Sequence, residues 1–223
     1  MDPQTESIPS PLPRGPHGLS AEQVAASQRL RMLNAVTEAA SSKGYAATSV
    51  TDVISRAGVS RRTFYEHFAN KDDCFLAAFD HGAAELSQAI IQAANSVDTA
   101  DDRLRAGYEA LCGTLANMPS YAKAFVAAQA DAASNIAHRR QEWREASIVR
   151  IRDLYSRTTK EVDALPPELP EHTARAIVGA IDALITDRID RDGAQRLTAL
   201  VPTIVSVAKA LMFHPIDPPA AAP

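Results

Sequence analysis

Two adjacent arginines, Arg61 and Arg62, open the stretch "RRTFYEHF", whose side chains could contact nucleic acid. A guanidinium fork matches the two acceptors on the major-groove edge of guanine, and threonine or tyrosine can contact a thymine methyl group or a phosphate. The same stretch places Phe64 and Phe68 four residues apart, hence on one face of a helix. These residues predict a short helix with one buried aromatic face and one exposed basic face.

The polar side chains cover the rest of this predicted helix: Arg61, Arg62, Thr63, Tyr65, Glu66 and His67. Arg-Arg pairs are common on protein surfaces, so an ordinary solvated face is the alternative to a DNA-contacting face. A capping serine (Ser60), a turn glycine (Gly58) and the phenylalanine pair occur together here, and this combination favours a DNA-contacting face. Glu66 fits less easily, because a carboxylate repels phosphate unless it accepts from a cytosine amino group or turns away.

The residues before this segment predict the elements that hold it. Ser49 followed by Asp52 forms a variant capping box that starts a helix of two to three turns, and Gly58 ends it. Ser60 can then cap the next helix, to about Phe68. An earlier helix, which Ser20 can cap, runs to about residue 42 and ends near Gly44, a residue suited to the left-handed position after a last turn. The spacing is that of a helix-turn-helix.

The rest of the chain also has a helical period, and no convincing strand is found, so the predicted fold class is all-α. A long helix begins near Lys71, and Pro202 should kink or delay the final helix. Residues 1–19 and 214–223 are rich in proline and lack a helical period, so we expect them to be solvated tails. We expect a DNA-binding domain over 20–70 and a ligand-binding and dimerisation domain over 71–213.

Composition narrows the classes of protein. The net charge of −4 argues against bulk attraction to nucleic acid or membrane, so any DNA contact must come from a local patch. No signal peptide or membrane span is found, which predicts a cytoplasmic protein with no membrane partner. Cys74 and Cys112 are expected to be inert core thiols, with a redox role as the alternative. No metal-ligand spacing, catalytic constellation or phosphate loop supports an enzyme, a metal or a cofactor.

Residues 29–71, with the runs "GYAATSVTDVISRAGVS" and "TFYEHFANK", closely resemble the N-terminal DNA-binding domain of the tetracycline-repressor (TetR) family of bacterial transcription regulators. The resemblance covers about a fifth of the chain and implies a helical ligand-binding and dimerisation domain behind it. Carried over by position, the DNA-binding residues are Ser49, Thr51, Ser60, Arg61, Arg62, Thr63, Tyr65, His67 and Lys71. Two departures are Ala40, where the family often has an aromatic, and Arg62, where it often has glycine.

Two further sets of residues follow from the apolar helical faces. An apolar effector pocket could be lined by Tyr108, Leu111, Cys112, Leu115, Met118, Tyr121, Phe125, Trp143 and Ile151, although each is more often plain core. The last two helices have apolar faces wider than one intramolecular contact needs, which predicts a four-helix dimer interface. Its residues would be Ile177, Ile181, Leu184, Ile185, Leu200, Ile204, Ala208 and Leu211.

The sequence thus predicts a homodimeric, ligand-responsive regulator, a repressor released from a palindromic operator by a small hydrophobic effector. Three alternatives stay open. The protein could be a ligand-binding helical dimer with a vestigial DNA-binding unit, an enzyme using the helical cavity, or an activator or nucleoid-type binder.

Overall fold

The structure, a computed structural model, describes residues 20–127, 134–159 and 167–214. These residues form nine α-helices and one 3₁₀ helix, and no strand is found among them, so the predicted all-α fold class is confirmed. The helices are α1 (Ala21–Lys43), α2 (Val50–Ala57), α3 (Arg61–His67), α4 (Lys71–Asn95), α5 (Ala100–Asn117), α6 (Pro119–Ala127), α7 (Ser134–Thr158), α8 (Glu171–Asp192), the 3₁₀ helix Ala194–Leu200 and α9 (Val201–Phe213).

Chain contacts divide these elements into two compact units. The first takes in the chain up to Ala83 together with Asn117–Ala137, and the second takes in Ala84–Ala116 and the chain from His138 onward. Helix α4 therefore begins in the first unit and ends in the second. The sequence predicts a functional boundary between the DNA-binding domain and the ligand-binding domain at residues 70 and 71. That boundary stays a prediction.

The caps predicted for the first helices are confirmed. At the start of α1, Ser20 N–H donates to Gln23 Oε1 (2.8 Å) and Gln23 N–H donates to Ser20 Oγ (3.2 Å). At the start of α2, Ser49 N–H donates to Asp52 Oδ2 (2.8 Å) and Asp52 N–H donates to Ser49 Oγ (3.3 Å). Each pair satisfies two backbone donors that the first turn leaves without an intrahelical partner.

The turn between α2 and α3 needs a glycine. Gly58 lies in the left-handed helical region at φ 62° and ψ 40°, where a Cβ would be strained, and its N–H donates to Ile54 O. Gly44, which follows α1, also has a positive φ of 85°, but its ψ of 152° lies outside the left-handed helical region. The chain therefore turns through a left-handed residue after α2, whereas the prediction of a left-handed helical residue at Gly44 is wrong.

Buried side chains of α1 to α4 and α6 form the core of the first unit: Met32, Val36, Val53, Phe64, Phe75 and Tyr121. One buried residue there is charged. Arg31 is 5% exposed, and its Nη1 donates to the carbonyl oxygen of Ala57 at 2.6 Å, at the last residue of α2. The guanidinium lies where the negative end of the α2 dipole concentrates, so it ties α1 to the C-terminus of α2.

Helix α6 packs on α1 and is also tied to the first half of α4. The Tyr121 hydroxyl donates to Phe79 O (3.2 Å), and the Tyr121 ring lies directly against Gly82. A Cβ added at Gly82 would lie 2.1 Å from Tyr121 Cε2, far closer than two non-bonded carbon atoms can approach. A glycine is therefore required at position 82 for close packing rather than for its backbone angles.

In the second unit, ion pairs join α7 to α8. Arg175 of α8 makes two hydrogen bonds to the Glu145 carboxylate (2.7 and 3.0 Å), and Arg144 of α7 pairs with Asp182. The Arg175 guanidinium holds the pKa of Glu145 below its usual range. Apolar side chains complete the packing of α8 against the 3₁₀ helix and α9, among them Ile177, Leu197 and Ile204.

The final apolar segment, Ala194–Phe213, begins as a 3₁₀ helix and becomes α-helical only at Val201, with Pro202 in the first turn. The predicted delay at Pro202 is confirmed. By length and composition alone this segment could cross a membrane, with a mean hydropathy of 1.5. The segment packs on α8 within its unit, yet only 39% of its most apolar 18-residue stretch is buried.

Candidate nucleic-acid interface

Helix α3 has the two faces predicted for it. Phe64 is fully buried and Phe68 is 2% exposed, with their ring centroids 5.7 Å apart. On the other face Arg61, Arg62, Tyr65 and Glu66 are exposed. Of the nine predicted DNA-binding residues, six are exposed and three are half-buried. The exposed six are Ser49, Thr51, Ser60, Arg61, Arg62 and Tyr65, and the half-buried three are Thr63, His67 and Lys71.

The N-terminus of α3 is fixed by its cap. Ser60 Oγ accepts from Thr63 N–H at 3.0 Å and lies 2.9 Å from Thr63 Oγ1. Both hydroxyls are therefore engaged in starting the helix. Ser60 consequently has a structural role in the free protein in addition to its predicted place at the DNA surface.

The two arginines of α3 have different partners. Arg61 Nη2 donates to Thr51 Oγ1 at 3.0 Å, which joins the first turn of α3 to the first turn of α2. Arg62 Nε donates to Glu66 Oε1 at 3.0 Å, one turn along the same helix. Glu66, whose direction the sequence left open, therefore turns towards Arg62.

Lys71 is held to the loop before α2 as α4 begins. Its Nζ donates to Tyr45 O (3.2 Å) and lies 4.2 Å from the centroid of the Tyr45 ring, while the Tyr45 hydroxyl bonds to Asp72. These contacts position the start of α4. A lysine ammonium has three donors, so the half-buried Lys71 retains the capacity to contact a phosphate.

Asp52 supports the α2 end of this surface. Hydrogen bonds from Lys43 and from Ser49 hold the pKa of the Asp52 carboxyl well below its usual range, so it is ionised at neutral pH. The Lys43 ammonium lies 2.6 Å from Asp52 Oδ2. The carboxylate thus closes the α2 cap and ties it to the last residue of α1.

Sequence reasoning missed two arginines of α1 that support this surface. Arg31 closes the C-terminus of α2, and the guanidinium of Arg29 stacks 4.6 Å from the centroid of the Phe68 ring. At 100° per residue Arg31 lies opposite the apolar stripe that contains Leu33 and Val36. The sequence pattern therefore contains no signal for the burial of Arg31 or for its partner.

The predicted effector-lining residues divide between the units. Tyr121 and Met118 belong to the first unit, where the Tyr121 hydroxyl is used on Phe79. The second unit holds Tyr108, Leu111, Cys112, Leu115, Trp143 and Ile151. The side chain of Phe125 lies outside the described residues. The arrangement of these residues as a pocket stays a prediction.

Within the second unit, α5 carries a buried stripe of Tyr108, Cys112 and Leu115. Burial raises the pKa of the Tyr108 hydroxyl above its usual range, with a smaller contribution from Cys112, and burial raises the pKa of the Cys112 thiol to about 11. Both groups stay protonated at neutral pH. On α7, the Arg150 guanidinium stacks 4.8 Å from the centroid of the Trp143 ring.

An open cavity of about 200 Å³ in the second unit is lined by Arg105, Glu109, Thr198, Val201 and Pro202. None of the predicted effector residues lines it. In the part of the chain that the structure describes, no group of His, Cys, Asp or Glu side chains could hold a metal ion.

Most of the predicted dimer residues are buried within the chain itself: Ile177, Ile181, Leu200, Ile204 and Ala208. Leu184, Ile185 and Leu211 are half-buried, and Phe213 beside them in sequence is 41% exposed. The dimer surface available to a second copy is therefore narrower than the sequence pattern indicates.

The fold and the exposed face of α3 define a helix-turn-helix DNA-binding protein with a helical C-terminal part. Residues 33–78 match the family model of bacterial regulatory proteins of the tetR family. This match runs from within α1 to within α4, so the helix-turn-helix segment of this chain is similar to the DNA-binding domain of tetR family regulators. The HTH-type transcriptional activator FasR of Mycolicibacterium smegmatis is 32% identical over 83 residues, or 37% of this chain. That alignment spans 38% of the length of FasR.

Solved structures share the fold over most of the chain. The fatty acid degradation regulator FadR from Bacillus halodurans is 18% identical, with a TM-score of 0.72 over 85% of this chain and 96% of its own. FadR from Bacillus subtilis, solved with stearoyl-CoA, is 18% identical, with a TM-score of 0.69 over 84% and 99%. A TetR-like regulator from Rhodococcus sp. RHA1 is 21% identical, with a TM-score of 0.62 over 85% and 95%.

Proposed function

We propose that this protein binds a palindromic operator as a homodimer, represses transcription there, and is released by a small, mainly apolar effector. One observation carries the proposal. Helix α3 presents Arg61, Arg62 and Tyr65 to solvent on a helix whose opposite face is anchored by Phe64 and whose start is capped by Ser60. Such a helix can enter a major groove without refolding.

Base reading falls to the exposed side chains of α3. Arg62 can bond guanine O6 and N7, and Tyr65 can contact a phosphate or a thymine methyl. Ser49, Thr51 and Lys71 are placed at helix starts, where side chains and backbone N–H groups bind phosphate. Thr63 and His67 are half-buried and would contact the groove only with their outer edges.

A second copy is needed to cover apolar surface on α8 and α9. These helices carry the half-buried Leu184, Ile185 and Leu211 and the exposed Phe213. Less than half of the most apolar stretch of Ala194–Phe213 is buried within the chain. A two-fold pair would bury them and present two copies of α3 to one face of DNA. Two-fold symmetry then requires an operator with inverted half-sites.

The effector would bind in the second unit and act through α4, whose last residues belong to that unit. The buried Tyr108 stays protonated, so its hydroxyl can donate a hydrogen bond to a ligand carbonyl. A fatty acyl conjugate is the first ligand to test, because one structural relative is named for fatty acid degradation and another was solved with stearoyl-CoA. By linkage, operator DNA must weaken effector binding by the same factor.

Operator selection from a random DNA library tests the proposal. We expect an inverted repeat, an affinity that falls steeply with salt because phosphate contacts release counterions, and weaker binding when long-chain acyl-CoA is added. Recovery of no preferred sequence would overturn the proposal and favour a ligand-binding dimer with a vestigial DNA-binding unit. A turnover product of an added ligand would instead favour an enzyme.

An activator is the second candidate, since the curated relative FasR is a transcriptional activator. Transcription in vitro from a promoter carrying the selected operator separates the two: a repressor lowers the transcript and an activator raises it. In either role the protein would act on DNA in the cell, so a cytoplasmic location is part of the proposal.

A further inference from the structure

Arg62 and Glu66 form a pair on the outer surface of α3. Arg62 Nε donates to Glu66 Oε1 at 3.0 Å, and the two side chains are 89% and 55% exposed. Surface ion pairs one helical turn apart stabilise a protein by only a few tenths of a kilocalorie per mole. The stability that the pair contributes is too small to explain why a carboxylate lies on the proposed DNA-facing side of α3. Glu66 therefore needs another role, in recognition.

The geometry of the pair bears on how Arg62 reads a base. A guanidinium has five N–H donors, and this hydrogen bond uses only the Nε donor on the side nearest the helix. The four donors on Nη1 and Nη2 stay available at the outer end, and they are the donors that bond guanine O6 and N7 together. Glu66 thus holds the stem of Arg62 and leaves its reading edge open.

The neighbouring Arg61 is also held, but by a neutral partner on another helix, Thr51 Oγ1 at 3.0 Å. Each arginine of α3 therefore has one anchor. For Arg62 the anchor is charged, so the Arg62 cation also offsets part of the repulsion between the Glu66 carboxylate and phosphate. This arrangement accounts for a carboxylate on a DNA-facing helix without a direct contact from Glu66 to a base.

We propose that Glu66 is a positioning residue for Arg62, which sharpens the preference for the base pair that Arg62 reads. The inference rests on the proposed DNA-binding function. An exposed arginine without this anchor must be ordered from more rotamers when it binds, and because the pair contributes only a few tenths of a kilocalorie per mole, its loss should weaken binding by about 2-fold. Glu66→Ala should reduce the preference at that one base pair by this factor.

The test measures binding of the full chain to its selected operator and to the three substitutions at each base pair of a half-site. Arg62→Ala first identifies the base pair that Arg62 reads, as the position where the preference flattens. Glu66→Ala should then weaken the preference at the same position. Glu66→Gln, whose amide oxygen can still accept from Nε, should restore part of it. A merely structural role for Glu66 would move all positions equally.

The double variant Arg62→Ala/Glu66→Ala separates positioning from direct reading. Positioning predicts that the loss of Glu66 has no further effect once Arg62 is absent, whereas a carboxylate that contacts cytosine itself would still change the preference. An effect that persists in the double variant overturns the inference. So does a uniform strengthening of binding to all sequences, because this would mean that Glu66 only repels phosphate.

The matched control is Asp153→Asn on α7, which removes a carboxylate from another exposed pair one turn apart, Asp153 with Arg157 (2.9 Å). It should leave every base preference unchanged. If the parent chain selects no operator, the proposed function fails. If the parent selects one and Glu66→Ala retains the full preference, the inference alone fails.

Discussion

Helix α7 carries six arginines and α3 carries two, yet the candidate DNA surface is on α3. The two helices differ in their place in the fold and in most of the partners of their arginines. Five of the α7 arginines pair with carboxylates: Arg139 with Glu142, Arg140 and Arg144 with Asp182, Arg152 with Glu168, and Arg157 with Asp153. The sixth, Arg150, stacks on Trp143.

On α3, Arg61 is anchored by a neutral hydroxyl and Arg62 by a single carboxylate oxygen. Arg140, Arg144 and Arg152 pair with carboxylates outside α7, so they hold segments together and present little net charge. Arg139 and Arg157 have partners on their own helix, as Arg62 does, but α7 is not part of the helix-turn-helix. The number of basic residues on a helix therefore does not locate a nucleic-acid surface. The partners of those residues and the element that carries them do, and four experiments can break or sharpen this contrast.

The largest effect is expected from the core beneath α3. Phe64→Ala removes a fully buried ring, and the cavity should lower the free energy of unfolding of the first unit by about 3 to 5 kcal/mol. Val149→Ala on α7 truncates a side chain that is 65% exposed, and it should change that free energy by about 0.5 kcal/mol or less. Urea unfolding of the two variants measures both, and equal midpoints would refute the core placement of Phe64.

Arg62→Ala should weaken operator binding by about 1 to 3 kcal/mol and relax one base position, because it removes a bidentate contact to a base. Arg157→Ala on α7 removes an exposed guanidinium that, like Arg62, pairs with a carboxylate one turn away but lies outside the helix-turn-helix, and operator binding should not change. Equilibrium binding to the selected operator and to a scrambled duplex tests both. Equal weakening on the two duplexes would mean that Arg62 meets only phosphate.

Gly82→Ala should destabilise the first unit by about 1 to 3 kcal/mol, since the new methyl group overlaps the Tyr121 ring. Gly113→Ala in the second unit meets nothing within 4 Å and should stabilise its helix by about 0.5 to 1 kcal/mol. Thermal unfolding compares the signs of the two changes. A stabilising Gly82→Ala would mean that α6 can move away from α4 without loss.

The smallest effect is the dependence of stability on pH. The pKa of Asp52 is lowered in the folded chain, chiefly by Lys43, so its stabilising contribution is complete above the unfolded pKa of about 3.9. That contribution declines as the pH falls below this value. Asp52→Asn should flatten the acid side of the stability profile of α2, measured by hydrogen exchange. Glu145→Gln should do the same for α7 and α8, because Arg175 lowers the pKa of Glu145.

The features predicted correctly from the sequence are those whose partners are close in the chain. The caps at Ser20, Ser49 and Ser60 each use a residue three positions away, and the end of α2 at Gly58 follows from the glycine itself. The apolar faces of the helices follow from their period. Such features need no knowledge of which helices meet, so a single segment contains their whole physical cause.

Contacts between distant segments could not be predicted in this way. Arg31 and Ala57 are 26 residues apart, Tyr121 and Phe79 are 42 apart, and Arg144 and Asp182 are 38 apart. Tyr121 shows the consequence. Its residue type and helical position fit the wall of a ligand pocket as well as they fit a packed core. Only its contacts with Gly82 and with the Phe79 carbonyl show that Tyr121 packs within the chain.

The sequence by itself determined an all-helical chain, the capped short helices and the exposure of the α3 arginines, because hydrophobic period and backbone capping act over one or two turns. Only the tertiary structure decided which cations are neutralised and which apolar faces are used up within the chain. Arg144 of α7 pairs with Asp182 of α8, and Ile177 and Ile204 are covered by their own chain. A side chain's partner depends on where other segments bring their groups, and one segment does not contain that information.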